Sequence, residues 1–305
     1  MRTPLRLLLA FVAIPVVLAA IAHAGVRRVP KPSPPASDPA ACRAVPGLAP
    51  DVAPLLRARV AVNLTNALLE SPAGDTVEVC LLVDTTGTVR EVALPHPGSP
   101  FDDAALAAAR WWLFVPAQRE GRAVPARVRA RIAIEVPADA EPLNPDVIVM
   151  AREAEARGDL RGAMDSWTGA LARAGRLAAL PDEWALRHEV IRLAIRQVEP
   201  PVVPAAAVSR ARQMHNLMTR NMARQDNADF AKALDEVLLT APWYADAYRW
   251  RASARAASGA AVDAARDVLC YRLAARDSAG RALAERALVA LANADTLSAM
   301  AMLKN

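Results

Sequence analysis

The sequence predicts an α+β protein in which a small, helix-packed antiparallel sheet is followed by an all-α array of helical hairpins. Strand patterns rich in Val and Leu are confined to the chain before about residue 137. Beyond residue 145, alanine-rich patterns of helical period replace them. The composition is 54% hydrophobic but only 4% aromatic, so small aliphatic side chains fill the core and allow close helix packing.

Residues 1–24 have the three parts of a secretory signal peptide. Arg2 and Arg6 precede an apolar run over residues 7–22, which ends in the small-x-small motif Ala22-His23-Ala24. The run is only slightly shorter than the roughly 18–20 residues that span a bilayer, so an uncleaved membrane anchor is the alternative. Five prolines between Val29 and Pro46 then predict an extended, solvated linker over residues 25–45.

The first folded domain is predicted over residues 46–137. Apolar residues at helical spacing predict a helix over residues 51–70, which ends at the Pro-Ala-Gly segment that follows. Residues 76–83 and 89–94 are Val-rich and flank the turn Asp84-Thr85-Thr86-Gly87, which is typical of a hairpin.

A second helix and a final strand complete this domain. Residues 101–112 predict a helix whose first turn holds Asp102 and Asp103, where negative charge favours the helix dipole. Residues 125–136 alternate between an apolar face and a face of three arginines, which predicts a half-buried strand. The three are Arg127, Arg129 and Arg131.

Three motifs in residues 77–136 resemble the C-terminal domain of TonB-family proteins. They are Val83-Asp84-x-x-Gly87-x-Val89, Trp112-x-Phe114-x-Pro116-Ala117 and Gly121-Arg122-x-Val124-Pro125. The resemblance implies a helix-packed antiparallel sheet whose outer strand accepts an extended segment from an outer-membrane receptor. Such strand addition draws affinity from backbone hydrogen bonds and selectivity from side chains.

The N-terminal region departs from that family. TonB-type transducers carry a Ser and a His inside the membrane helix, whereas the apolar run here has no Ser and His23 lies at its end. The Tyr-Pro segment that usually precedes the first strand is replaced by the helix predicted over residues 51–70. The resemblance therefore favours a binding surface over an energy transducer.

The arginine stripe of Arg127, Arg129 and Arg131 has two interpretations. Charges on an outer strand hinder aggregation between sheets and need no ligand. Alternatively, the stripe is a docking edge for an acidic or extended partner segment.

Two of the three cysteines lie in the first half of the predicted exported chain, where disulfides persist. Cys42 and Cys80 are either bridged, which would tie the end of the linker to the first strand of the hairpin, or Cys80 is a buried free thiol. Cys270 stands alone in a helical region and is predicted to belong to the core.

Residues 145–303 are predicted to form helical hairpins that resemble tetratricopeptide repeats. One copy has Gly158-Asp159-Leu160 at the turn, followed by Ala163, Trp167 and Ala170; a second has Tyr248, Ala252, Gly259, Ala264 and Val268. Residues 183–197, 208–224 and 228–239 predict further helices. Such arrays commonly hold a peptide on the concave side. Five aromatic residues are interpreted as packing residues, with a ligand cage as the alternative: Trp167, Trp184, Trp243, Trp250 and Tyr248.

The sequence offers no recognisable catalytic, cofactor-binding or metal-binding constellation. His96, His188 and His215 are isolated, and no Cys-x-x-Cys, His-Glu-x-x-His, Gly-x-Ser-x-Gly or Gly-rich phosphate loop occurs. We therefore predict a protein that is not an enzyme and needs no cofactor. The net charge is +5, but acidic residues interleave with the arginines, and export removes nucleic acid as a partner.

Together these patterns predict an exported, periplasmic scaffold or adaptor of the bacterial envelope. It would bind envelope proteins or peptides, including a segment of an outer-membrane receptor, through the sheet edge and the helical-repeat surface. The alternative is a TonB-like energy transducer for outer-membrane transport, anchored in the inner membrane and facing the periplasm. The inner membrane is a partner only if residues 1–24 are not cleaved.

Overall fold

The computed structural model describes Cys42 and residues 49–71, 74–136, 146–173, 183–197, 199, 201–220 and 224–304. The predicted signal or anchor over residues 1–24, and the linker apart from Cys42, lie outside the described residues. No described helix combines the length and apolar character that a membrane crossing needs. Antiparallel strands precede a helical array, which confirms the predicted α+β class.

The described elements are seven strands and eleven helices. The strands are β1 (Leu55–Ala58), β2 (Asp75–Val83), β3 (Val89–Ala93), β4 (Leu113–Val115), β5 (Ala117–Arg119), β6 (Arg122–Val124) and β7 (Ala126–Ile134). The helices are α1 (Asn66–Leu69), α2 (Asp102–Ala109), α3 (Val147–Ala156), α4 (Leu160–Arg173), α5 (Glu183–Arg196), α6 (Ala205–Arg220), α7 (Arg224–Thr240), α8 (Ala245–Ala257), α9 (Ala261–Ala274), α10 (Ser278–Ala292) and α11 (Thr296–Lys304).

The main sheet is antiparallel, with β2 between β3 and β7. Cys80 of β2 stands opposite Ala93 of β3 and Arg129 of β7. The β2–β3 hairpin, α2 and β7 therefore lie where the sequence patterns predicted a hairpin, a helix and a final strand. Two shorter antiparallel pairs, β1–β4 and β5–β6, complete the sheet region.

The helix predicted over residues 51–70 is wrong. The structure has β1 and the single turn of α1 in that segment, and β1 pairs antiparallel with β4. Val60 and Val62 are β-branched and lose side-chain freedom in a helix, which weakens the helical preference of the segment. The edge of β4 provides hydrogen-bonding partners for an extended chain, and this tertiary pairing overrides the local apolar spacing.

The sheet and most of the helical array share one hydrophobic core. Val79 and Leu81 of β2 belong to the same buried cluster as Tyr248 of α8 and Leu291 of α10. From Cys42 onward the described chain forms one compact unit, although the sequence predicted separate domains over residues 46–137 and 145–303.

Three helix pairs of the array are joined by the same tight turn. α3–α4, α8–α9 and α10–α11 turn through a left-handed residue, with φ of 83° at Gly158, 85° at Gly259 and 60° at Ala294. In each turn the next residue donates its N–H to the carbonyl five positions earlier, at 2.9, 2.8 and 2.9 Å. This pattern satisfies the last carbonyls of the first helix. Glycine predicted two of the turns, and the third has no glycine to mark it.

Helix α5 divides the core of the array. Leu186, Val190 and Leu193 on one face pack with α3 and α4 in a second buried cluster. Trp184 and Ile191 on another face belong to the main cluster shared with the sheet. α5 thus links α3 and α4 to the main cluster, and Asp146 at the start of α3 adds a direct contact with the sheet region by accepting a hydrogen bond from the Asn66 N–H at 2.7 Å.

Candidate functional site

The predicted arginine stripe lies on β7, an edge strand. Within the described chain β7 pairs with β2 on one side and with no strand on the other. Arg127, Arg129 and Arg131 occupy alternate positions and share one face, as the two-residue spacing predicted. A strand edge with unpaired backbone groups is able to accept a further strand.

Two of the three arginines are paired with carboxylates of the same sheet. Arg127 Nη2 lies 3.1 Å from Glu91 Oε2 on β3, and Arg129 Nε lies 3.0 Å from Glu78 Oε1 on β2. Arg131 is exposed and forms no ion pair with any residue that the structure describes. The unbalanced charge of this face is therefore smaller than three arginines alone would give, and it is concentrated at Arg131.

The structure joins Cys42 to Cys80 in a disulfide, with the two Cα atoms 5.2 Å apart. Cys80 stands directly opposite Arg129, and directly opposed residues on neighbouring strands share a face of the sheet. The disulfide therefore lies on the arginine face and ties the chain at Cys42 to the central strand. Cys270, by contrast, is a buried free thiol in α9, as predicted.

The turn between β2 and β3 is organised by Asp84. Its carboxylate accepts hydrogen bonds from the backbone N–H groups of Thr86 and Thr88, at 2.8 and 3.1 Å, and pairs with Arg90. Burial alone would raise the pKa of Asp84, but these hydrogen bonds and Arg90 together lower it. Asp84 therefore stays ionised and fixes the position of the Arg90 guanidinium.

The same turn brings two of the sequence motifs into contact. Gly87 has a left-handed φ of 78°, and the Phe114 N–H donates to its carbonyl at 2.8 Å. A Cβ at position 87 would lie 1.9 Å from the Phe114 carbonyl oxygen, so only glycine fits.

The sheet region contacts the helices through several direct polar contacts that sequence reasoning missed. Arg57 Nη1 donates to the Leu291 carbonyl at 2.8 Å, and Arg266 Nη2 donates to the Arg59 carbonyl at 2.7 Å. Arg90 Nη2 lies 2.8 Å from Glu285 Oε1 on α10. These residues are far apart in sequence, so no local pattern marks them.

The adjacent tryptophans Trp111 and Trp112 point to different parts of the molecule. Trp112 is buried in the sheet region and donates its Nε1–H to the Val60 carbonyl at 3.2 Å. Trp111 stacks on His188 of α5, whose Nε2 lies 4.0 Å from Cys270 Sγ. Burial, and secondarily Arg272, holds the pKa of His188 well below its usual value. Burial also raises the pKa of the Cys270 thiol to about 12, so Cys270 stays a protonated thiol.

A cleft of about 570 Å³ opens beside Trp111, between the sheet region and helices α5, α9 and α10. Four arginine side chains line it, from β3, α9, the loop after α9, and α10: Arg90, Arg272, Arg276 and Arg281. Glu285 also lines the cleft and pairs with Arg90 and with Arg272, the latter at 3.1 Å. Burial, only partly balanced by Glu285, lowers the pKa of Arg272.

Inside the array, Arg and Asp residues that interleave along the sequence form a buried charged network. Arg251 is fully buried, and its Nε lies 3.0 Å from both carboxylate oxygens of the equally buried Asp267. Arg255 Nη1 lies 3.0 Å from the same carboxylate, and Asp235 also pairs with Arg251. The guanidinium groups of these arginines form ion pairs inside the array and are not available to a ligand.

The other predicted candidates are dispersed. His96 is exposed, whereas His215 stacks on Trp250. Four of the five aromatic residues are buried, namely Trp167, Trp184, Trp250 and Tyr248, while Trp243 is half-buried. In the part of the chain that the structure describes, no three His, Cys, Asp or Glu side chains are grouped as metal ligands.

No family model, curated protein or solved structure matches the chain. Its function is therefore inferred from the geometry of its own residues.

Proposed function

We propose that the protein is an exported scaffold or adaptor of the bacterial envelope that binds an extended partner segment at the open edge of β7. The observation that carries this proposal is that β7 pairs with β2 on one side and, among the described residues, with no strand on the other. Backbone hydrogen bonds along that edge would provide affinity, and alternate side chains would provide selectivity.

The chemistry of the partner is set by the face beside that edge. Arg131 is exposed, and the ion pairs of Arg127 and Arg129 involve partly exposed side chains. An acidic segment would pair with Arg131 directly and would compete for the other two guanidinium groups. The proposed partner is therefore an extended segment that carries Asp or Glu at alternate positions.

The disulfide supports an exported location. Disulfides persist in the periplasm and are rare in the reducing cytosol. The Cys42–Cys80 bridge is compatible with the signal predicted over residues 1–24.

We further infer that the sheet region is of the TonB C-terminal type and the array of the tetratricopeptide type. The contact between Gly87 and Phe114 joins two of the motifs behind the first resemblance. The repeated turns at Gly259 and Ala294 support the second, since their separation is close to the repeat length of about 34 residues. The sheet contacts several array helices, so the array here serves in part to hold the sheet.

Photocrosslinking tests the binding edge. A photoreactive amino acid replaces Ala133, which is exposed on β7, and in a matched variant replaces Ala301, which is exposed on α11. We expect a crosslinked envelope partner from position 133 and none from position 301, with the crosslink mapped to an acidic, extended segment. Arg131→Glu should reduce the yield at least fivefold, whereas Arg122→Glu, on the exposed strand β6, should not. Equal yields from positions 133 and 301 would contradict the proposal.

N-terminal sequencing of the protein from cells separates the adaptor from the transducer. A mature chain that begins at Gly25 is expected for a periplasmic adaptor. A membrane-bound chain that retains residues 1–24 and restores receptor-dependent uptake in a transducer-deficient strain would favour the alternative.

A further inference from the structure

The cleft beside Trp111 has features of a ligand site that are independent of the β7 edge. It is bounded by β3, α5, α9 and α10 and has a volume of about 570 Å³. This volume lies in the range of small-molecule sites, which are mostly apolar with a few convergent polar groups.

The charges of the cleft are unbalanced. Four guanidinium groups line it, against the single carboxylate of Glu285. Glu285 forms ion pairs with Arg90 and Arg272, and Asp84 forms a second ion pair with Arg90. Arg276 is exposed, and neither it nor Arg281 pairs with a carboxylate within 4 Å among the described side chains.

Three of the four arginines, Arg90, Arg272 and Arg281, are held by hydrogen bonds within the protein before any ligand binds. Arg90 Nη2 and Arg272 Nη1 both donate to Oε1 of Glu285, at 2.8 and 3.1 Å. Arg281 Nη1 donates to the carbonyls of Ala275 and Arg276, at 3.1 and 2.9 Å. Positioned guanidinium groups lose little side-chain entropy on binding, and their planar donors match carboxylate and phosphate oxygens.

The rest of the lining is apolar. The Trp111 ring, Ile195, Leu269 and Leu273 line the cleft together with the arginines. Ile195 is 37% exposed, so part of this apolar surface faces the open cleft. A simple inorganic anion would leave these side chains uncovered.

We propose that this cleft binds a small, soluble organic anion in which a carboxylate or phosphate is attached to an apolar, preferably aromatic, body. The anionic group pairs with Arg276 and Arg281, and Arg272 in the same cleft adds a further positive charge. The apolar body lies against Trp111, Leu269 and Leu273. The negative charge of the ligand would offset part of the desolvation cost of the partly buried Arg272 guanidinium.

Calorimetric titration of the full-length protein tests the site. The probes are 2-naphthoate and 1-naphthyl phosphate, with neutral 2-naphthol and inorganic phosphate as controls. We expect both naphthyl anions to bind with dissociation constants below 1 mM and to quench tryptophan fluorescence, and both controls to bind at least tenfold more weakly. No binding of either naphthyl anion, or equal binding of 2-naphthol, would overturn the proposal.

Charge-matched variants locate the site. Arg276→Gln/Arg281→Gln should weaken binding of 2-naphthoate at least tenfold. Arg173→Gln/Arg286→Gln removes two exposed arginines outside the cleft and should change affinity less than twofold. Equal losses of affinity in both double variants would show non-specific charge attraction and would overturn the proposal. Because Arg281 also bonds backbone carbonyls, Arg276→Gln alone is measured too, and an affinity unchanged from wild type would likewise count against the proposal.

Vesicles distinguish a soluble anion from a lipid headgroup. Flotation with phosphatidylglycerol vesicles should recover no more wild-type protein than the Arg276→Gln/Arg281→Gln variant. Vesicle binding that depends on these two arginines would assign the cleft to a lipid and overturn the soluble ligand.

Discussion

At the scale of single residues, the turn between α10 and α11 holds one of the two described non-glycine residues with a left-handed φ, the other being Glu120. Ala294 adopts a left-handed φ of 60°, where the equivalent turns have Gly158 and Gly259. The left-handed region costs an L-residue about 1–2 kcal/mol because its Cβ approaches the backbone, whereas glycine avoids this contact. The same turn is therefore built at a higher conformational cost in the last hairpin.

Replacing Ala294 by Gly should stabilise the protein. Relief of the strained φ outweighs the extra freedom of glycine in the unfolded chain, and we expect a gain of about 0.5–1 kcal/mol in the free energy of unfolding. The reverse change, Gly259→Ala, should cost about 1 kcal/mol. Urea unfolding followed by circular dichroism measures both, and a loss of stability in Ala294→Gly would contradict the strain.

A second residue-scale prediction concerns the buried ion pair in α8 and α9. Asp267→Asn leaves the Arg251 guanidinium without its main counter-charge, and breaking a buried pair typically costs about 3–5 kcal/mol. Asp263→Asn is the control, because its carboxylate is 48% exposed and lies 3.6 Å from Arg266, so its loss should cost under about 1 kcal/mol. Similar losses in the free energy of unfolding for Asp267→Asn and Asp263→Asn would mean that burial does not determine the strength of these ion pairs.

At the scale of elements, the disulfide makes the stability of β2 depend on redox conditions. The bridge closes a loop with a sequence separation of 38 between Cys42 and Cys80. Loss of the cross-link frees the unfolded chain and should lower the free energy of unfolding by about 2–4 kcal/mol.

Reduction and alkylation test this directly. In mild reductant at pH 8, iodoacetamide should label Cys42 first and Cys80, which is 1% exposed, only slowly, while Cys270 reacts only after denaturant is added. Its burial and its pKa of about 12 keep the thiolate form scarce. Mass spectrometry counts the labels, and Cys42→Ser/Cys80→Ser should lose all sensitivity of its unfolding to reductant. Rapid labelling of three cysteines without denaturant would contradict the buried thiol.

Elements with strong local patterns could be predicted, and elements fixed by distant partners could not. β7 alternates strictly and α2 begins at paired aspartates, so local period and charge were enough. β1 owes its conformation to pairing with β4, whose residues lie more than fifty positions later, so its apolar spacing predicted the wrong element. Alternation alone does not place β7 at a sheet edge, and the expectation of an outer strand came from the family resemblance. The arginine cleft could not be predicted, because its lining comes from β3, α5, α9 and α10.

At the scale of the whole molecule, His188 connects the sheet region to the array and makes their union sensitive to acid. It stacks on Trp111, lies beside Cys270, and faces the positive charge of Arg272. Its pKa in the folded protein lies well below 6.5, the value expected for the unfolded chain. Below pH 6.5 the unfolded chain binds more protons, so stability falls as the pH falls.

We expect this single group to contribute a loss approaching 1.4 kcal/mol per pH unit below pH 6. The stability that neutral His188 contributes to the folded protein is fully present above pH 6.5 and is lost on acidification. His188→Gln should flatten the pH dependence of the unfolding free energy between pH 6.5 and 5. His96→Gln removes an exposed histidine and should leave that dependence unchanged. Identical slopes in the two variants would contradict the role of His188.

The position of α5 between two buried clusters has a consequence for how the chain opens. The buried side chains of α3 and α4 belong to the smaller cluster, so these helices can open from one face of α5 once the hydrogen bond from the Asn66 N–H to Asp146 breaks, while the sheet and the later helices stay intact. Native-state hydrogen exchange should therefore resolve two cooperative units. The amides of α3 and α4 should exchange through a partial opening whose free energy is lower than that of global unfolding. Limited proteolysis should then cut the chain in or beside α3 and α4 before it cuts the sheet or the later helices. The order in which fragments appear would report the difference in local stability.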